Sequence, residues 1–68
     1  MGTVARVIEI SAESDTSFGD AISTGVERAT QTLRNTKSVW IKEQHVDVTD
    51  GRITGHRVHM LVTFVLDE

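Results

Sequence analysis

Apolar and polar residues alternate along the first segment of the chain, from residue 4 to residue 11. A period of two residues is typical of a half-buried β-strand. The alternation predicts that Ile8 and Ile10 face the core, and that Val7 and Glu9 face the opposite side.

A polar run over residues 11–17 has the composition of a turn and leads into a helix. Ser17, followed three residues later by Asp20, matches a capping box, and Ser14 is a second candidate for the cap. Apolar residues then recur at steps of three and four, which predicts one amphipathic helix. The apolar stripe consists of Phe18, Ala21, Ile22, Val26, Ala29 and Leu33. We expect the helix to fray near residues 35 and 36, where turn-forming residues replace helix formers.

Two segments rich in Val, Ile and Thr, residues 38–48 and 52–66, flank the dipeptide Asp50-Gly51. This dipeptide is a strong signal for a tight two-residue hairpin between two strands. The predicted order is therefore β-α-β-β, an α+β fold in which a three-stranded antiparallel sheet wraps around one amphipathic helix. No linker or repeat divides the chain, so we expect a single domain over residues 1–68.

The hairpin predicts which residues of the last two strands lie opposite each other, if Thr49 pairs with Arg52. The face toward the helix then carries the pairs Val39–Val62, Ile41–Met60 and Glu43–Val58. The opposite face carries Trp40–Leu61, Lys42–His59, Gln44–Arg57 and Val46–Gly55. A bulge in the long third strand would shift the register by one residue and exchange the two faces.

The sheet would carry apolar residues on both sides, which a chain of 68 residues cannot cover alone. The chain has no cysteine, so neither disulfides nor a thiolate zinc site can stabilise it. We therefore expect a homo-oligomer. With a net charge of −3 and scattered basic residues, nucleic acid is not expected as a partner. No apolar stretch is long enough to cross a bilayer or to serve as a signal peptide, so we expect no membrane association and a cytoplasmic location.

The face that carries Trp40 has the composition of a site for a planar heterocycle. Trp40 offers a stacking surface, and Gln44 and Arg57 offer polar groups for the ring edge. The alternative is a tryptophan buried at a subunit interface. Lys42, Arg57 and His59 could together hold a phosphate, or they could pair with carboxylates of a neighbouring subunit.

A metal site and an active site have weaker support. The hairpin register sets His45 opposite His56, but two nitrogen ligands make an incomplete site, so no metal site is predicted. Carboxylates that could instead bind a hard cation are Asp47, Asp50, Asp67 and Glu68. No serine lies in a nucleophile motif and no Gly-rich phosphate loop is present, so we do not expect an enzyme, although a small hydrolase or transferase is a third hypothesis.

Three parts of the sequence together resemble one protein family. They are Val7-Ile8-Glu9-Ile10 in the first strand, Ser17-Phe18-Gly19-Asp20-Ala21 with Gln31-Thr32-Leu33-Arg34-Asn35 in the helix, and the closing segments 38–44, 50–54 and 58–66. In order, length and spacing they resemble the dodecins over essentially the whole chain. The resemblance implies twelve copies that form a hollow sphere.

The resemblance also implies a ligand. In flavin-binding dodecins a strand-two tryptophan from each of two subunits sandwiches a pair of stacked flavin rings, and a third-strand glutamine hydrogen-bonds the ring edge. The glutamine position is occupied here by Arg57. The tryptophan position falls on Ser38 if the helix is matched without a gap, and on Trp40 if a gap of two residues follows the helix.

The leading hypothesis is therefore a homododecamer that stores or buffers riboflavin or FMN and protects it from light, without catalysis. Trp40, or Ser38 at the family position, would lie at the ring, Arg57 and Gln44 at its edge, and Lys42 or His59 near the ribityl or phosphate tail. The alternative is a dodecin-like shell that lacks flavin and binds a metal cation or another small ligand.

Overall fold

The computed structural model of the protein describes residues 2–66. Strand β1 (Ala5–Ser14) is followed by helix α1 (Phe18–Thr32) and by strands β2 (Thr36–Thr49) and β3 (Arg52–Val65). The strands form one antiparallel sheet in the order β1-β3-β2, so β3 is central and both other strands lie at an edge. This arrangement confirms the predicted β-α-β-β fold.

Strand β1 is longer than the alternation predicts. It continues past residue 11 as far as Ser14, and its last residues alternate between buried Ala12 and Ser14 and exposed Glu13. The polar composition of this segment favours a turn, but pairing with β3 along the whole strand outweighs that preference. The predicted turn is therefore confined to the short segment before α1.

Helix α1 begins where the capping box predicts. The amide N–H of Asp20 donates to Oγ of Ser17 at 3.0 Å. Ser14 does not cap the helix but holds the preceding loop, because its Oγ accepts from the Thr16 amide at 3.0 Å and donates to Oδ2 of Asp20 at 2.6 Å. The cap satisfies a backbone donor that has no partner within the helix.

The core lies between α1 and the central strand. Val58, Met60 and Val62 of β3 are fully buried. Opposite them α1 presents small buried side chains, Ala21 and Ala29, together with Gly25. Small residues let the helix backbone approach the sheet closely. The helix ends at Thr32, before the predicted fraying, and the Leu33 amide closes the last turn by donating to the Ala29 carbonyl at 2.9 Å.

The β2–β3 hairpin has the predicted turn. Asp50 and Gly51 have φ values of 53° and 76°, as a type I′ turn requires. The predicted register is confirmed next to the turn and again far from it, for the pairs Thr49–Arg52, Ile41–Met60, Trp40–Leu61 and Val39–Val62.

Between these regions the predicted register is wrong. Shifts between Ile41 and Glu43 and between Asp47 and Val48 leave Lys42 of β2 and Thr54 of β3 as extra residues. The observed pairs are Glu43–His59, Gln44–Val58, His45–Arg57, Val46–His56 and Asp47–Gly55. The predicted pairs Glu43–Val58, Lys42–His59, Gln44–Arg57, Val46–Gly55 and His45–His56 are therefore all replaced. The two bulges lie on opposite strands and cancel, which restores the register beyond Lys42.

Candidate functional site

The sheet has one face against α1 and a second face turned away from it, which we call the outer face. Buried Val58, Met60 and Val62 mark the helix side of β3, so the alternate residues of β3 and their partners mark the outer face. The outer face comprises Val7, Glu9, Ser11 and Glu13 of β1, Ser38, Trp40, Lys42, Glu43, His45 and Asp47 of β2, and Arg57, His59, Leu61 and Thr63 of β3.

Trp40 is the largest exposed side chain of the outer face. It lies on the edge strand β2, opposite Leu61, and 72% of its surface is exposed. Ser38 lies two residues earlier on the same face, opposite Thr63. Both candidates for the stacking position therefore share one surface, as the alternation predicts.

Lys42 lies beside Trp40 on the outer face, but its charge is engaged. Its Nζ lies 3.2 Å from Oε2 of Glu9, so the side chain crosses from β2 over the central strand to β1. Both side chains are about half exposed, so the pair orients Lys42 more than it stabilises the fold.

Arg57 is held between two carboxylates. Its Nε donates to Oδ2 of Asp47 at 3.2 Å, and its Nη2 lies 3.5 Å from Oε2 of Glu13. Gly55 makes room for this cluster, because a Cβ at that position would stand only 2.9 Å from Oδ2 of Asp47. The three residues of the predicted cluster, Lys42, Arg57 and His59, thus lie on one face. Its two permanently charged side chains, Lys42 and Arg57, are both paired with carboxylates of the same chain.

Gln44 does not lie beside Trp40. The bulge at Lys42 pairs Gln44 with Val58 and so places it on the helix side of the sheet. The predicted position of Gln44 on the face of Trp40 is wrong, and the same shift moves His45 to the outer face.

The histidines form a different pair from the predicted one. The ring of His45 stacks on that of His59, with centroids 5.5 Å apart and an interplanar angle of 28°. His56 lies on the other side, where its Nδ1 is 3.2 Å from the Ser14 carbonyl oxygen and its ring contacts Phe18 edge-on.

A groove of about 390 Å³ runs between α1 and β1. Its lining is largely apolar and includes Ile8, Ile10, Gly25, Ala29 and Leu33. The sequence does not indicate this groove. It exists because the small residues of the helix, Gly25 and Ala29, leave space beside β1.

The Dodecin family profile matches residues 4–67, nearly the whole chain. The chain belongs to the dodecin family. Among curated proteins, no sequence matches the chain.

Solved dodecin structures share this fold over at least 93% of their own length. The dodecin from Streptomyces davaonensis is 35% identical, with a TM-score of 0.91 and complete coverage of both chains. The dodecin from Streptomyces coelicolor is 27% identical, with a TM-score of 0.90 over 97% of this chain and 94% of that one. The calcium dodecin from Mycobacterium tuberculosis, a calcium-chelating antigen with a novel calcium-binding site, is 29% identical, with a TM-score of 0.81 over 96% and 93% of the two chains.

Two of the four carboxylates considered as cation ligands, Asp47 and Asp50, lie within the described residues of this dodecin-family chain. Within residues 2–66, no group of three or more His, Asp or Glu side chains is arranged to hold a metal ion. Asp47 is paired with Arg57, and Asp50 forms the turn at the hairpin tip. Asp67 and Glu68 lie outside the described residues.

No helix in residues 2–66 combines the length and the apolar composition needed to span a bilayer.

Proposed function

We propose that this dodecin-family protein is a non-enzymatic, cytoplasmic flavin-binding protein that assembles as a homododecamer and stores, buffers and protects its flavin from light. The observation that supports this most directly is Trp40, a broad aromatic surface that is 72% exposed on the outer face of an edge strand. A tryptophan exposed to this extent in one chain requires a ligand or a second subunit to cover it.

Two subunits related by two-fold symmetry would cover both copies of Trp40 with a single contact. Trp40 lies on β2, whose free edge can approach the same strand of a second copy. Two tryptophans would then face each other, with flavin rings stacked between them. Ser38, two residues away on the same face, lies where it can contact the ring or, in the gap-free match to the family, occupy the stacking position itself.

The charges of the outer face favour riboflavin over FMN. This face carries two permanently positive side chains, Lys42 and Arg57. It also carries four carboxylates, which belong to Glu9, Glu13, Glu43 and Asp47. Both cations already have carboxylate partners, so a flavin phosphate would have to displace one of them. A neutral ribityl chain has no such cost and can hydrogen-bond to Lys42 or His59.

The polar groups at the ring edge differ from an amide. Arg57 has only donors, and its partners Glu13 and Asp47 supply the acceptors nearby. The edge of the ring would thus meet the whole cluster rather than one side chain. A role for Gln44 would require a ring bound by another subunit, since it lies on the helix side in its own chain.

The test is a titration of riboflavin and of FMN fluorescence against the assembled protein, with the mass of the assembly measured on the same sample. We expect strong quenching that saturates near one flavin per subunit, and a lower Kd for riboflavin. An assembly of dodecamer mass that leaves the fluorescence of both flavins unchanged would contradict flavin binding while leaving the assembly intact.

An alternative is a shell without flavin that binds a hard cation. The calcium dodecin from Mycobacterium tuberculosis, 29% identical, supports this alternative. Residues 2–66 of one chain hold no ready group of three ligands, so such an ion would also need oxygen ligands from outside them, for instance from a second subunit. Saturable Ca²⁺ binding by calorimetry, in a protein that does not quench flavin, would favour it.

A further inference from the structure

The geometry points to a transition-metal site built from His45 and His59 on the outer face. The two residues come together because of the bulge at Lys42. Without the extra residue, His45 would lie on the helix side; with it, His45 pairs with Arg57 and becomes the diagonal neighbour of His59.

The two imidazole rings have nitrogens available for a ligand. Within residues 2–66, neither ring makes a hydrogen bond or an ion pair, and each contacts the other at a centroid distance of 5.5 Å. His56 differs in both respects, since its Nδ1 contacts the Ser14 carbonyl oxygen and its ring packs on Phe18. Rotation of the side chains about Cβ can turn the exposed His45 ring and the half-buried His59 ring from stacking toward a shared ion about 2.0–2.1 Å from each nitrogen.

The charges nearby favour a cation at this position. Glu43 lies on the outer face directly opposite His59, and within the described part of the chain it makes no ion pair. The nearest cations, Lys42 and Arg57, are each neutralised by carboxylates of β1 or β2. A divalent cation therefore meets a negative surface.

The ligand types select the class of metal. Imidazole nitrogen prefers Zn²⁺, Ni²⁺ and Cu²⁺, whereas Ca²⁺ and Mg²⁺ prefer oxygen ligands. Two histidines leave the site open, since no third His, Asp or Glu of residues 2–66 is already in position. Water, Glu43 after side-chain rotation, or a second subunit would complete the coordination.

The experiment is isothermal titration of ZnCl₂, and separately of CaCl₂, into the assembled protein without a histidine tag or flavin. The His45→Gln and His59→Gln variants each remove one proposed ligand, and His56→Gln is the matched control, because the chain has three histidines and only this one lies on the helix side. Dodecamer mass and circular dichroism verify that each variant is assembled and folded.

We expect saturable Zn²⁺ binding at one ion per chain in the native protein and in His56→Gln, and its loss in both other variants. CaCl₂ should give no such step. The single tryptophan supplies a second measurement. Cu²⁺ bound at His45 and His59 should quench Trp40 fluorescence in the native protein and in His56→Gln, but not in His45→Gln or His59→Gln. Zn²⁺ binding that persists in His45→Gln and His59→Gln, or that is absent from the native protein, would overturn the proposal.

Discussion

Gly25 of α1 lies directly against Met60 of β3. A Cβ atom at Gly25 would overlap the Met60 Cε and would also stand 3.1 Å from the Cβ of Ala12. Met60 is completely buried, so its side chain has little space into which it can move. The helix can therefore pack this close to the sheet only because position 25 has no Cβ atom.

This contact predicts opposite effects for two glycine substitutions in α1. Gly19→Ala should raise the free energy of unfolding by up to about 1 kcal/mol, because alanine favours the helix and the nearest atom to its Cβ is the Ser17 Oγ at 3.9 Å. Gly25→Ala should lower it, because overpacking costs about 1–3 kcal/mol and exceeds that gain. Urea denaturation at one fixed protein concentration measures both. Equal stabilisation by the two substitutions would contradict the close contact.

A substitution at the hairpin tip, Gly51→Ala, should lower the stability of the protein through backbone strain alone. Gly51 has a φ of 76°, and no atom lies within 4 Å of the position that its Cβ would occupy. Gly51→Ala should therefore cost about 1–2 kcal/mol, the price of a left-handed conformation for a residue with a side chain. Asp50→Asn is the control, since asparagine tolerates the φ of 53° at that position and should leave stability within about 0.5 kcal/mol. If both variants match the native protein in urea denaturation, the type I′ turn is not needed for stability.

The fold follows from the sequence where one local signal decides it. Asp50-Gly51 determines the turn, and the turn determines the pairs Ile41–Met60 and Trp40–Leu61. Ser17 determines the start of the helix. The bulges at Lys42 and Thr54 have no such signal, because a polar residue in a strand is equally compatible with regular pairing.

The site is predictable to the same extent. The alternation of side chains along each strand places Ser38, Trp40, Arg57 and His59 on one face, as observed. The bulge at Lys42 of β2, which no residue pattern indicates, exchanges the faces of Gln44 and His45. The ion pairs of Lys42 and Arg57 depend on how β1 aligns with β3. These strands are not joined by a hairpin, so no turn sets their register, and the partners Glu9 and Glu13 could not be identified from the sequence.

The paired state of Arg57 predicts how the choice between flavins can be changed. Asp47→Asn removes one of its two carboxylate partners and should lower the Kd for FMN relative to that for riboflavin, because the guanidinium becomes available to the phosphate. Glu43→Gln removes the same charge from the same strand and face without freeing Arg57. We therefore expect a smaller change in the FMN-to-riboflavin ratio for Glu43→Gln, measured by fluorescence titration. Equal changes would mean that the total charge of the face, and not Arg57, decides the preference.

Substitution of Trp40 should change flavin affinity more than any other single substitution. Trp40→Ala should remove most binding, since aromatic stacking contributes about 1–3 kcal/mol per ring face, and Trp40→Phe should retain part of it. The variant Trp40→Ala combined with Ser38→Trp tests the other alignment with the family, because both positions lie on the outer face, opposite Leu61 and Thr63 respectively. If the stacking position is at Ser38, Trp40→Ala alone leaves riboflavin affinity unchanged and the combined variant binds more tightly than the native protein. If it is at Trp40, affinity falls in Trp40→Ala and the added tryptophan, displaced by two residues along the strand, about 6–7 Å, does not restore the native value.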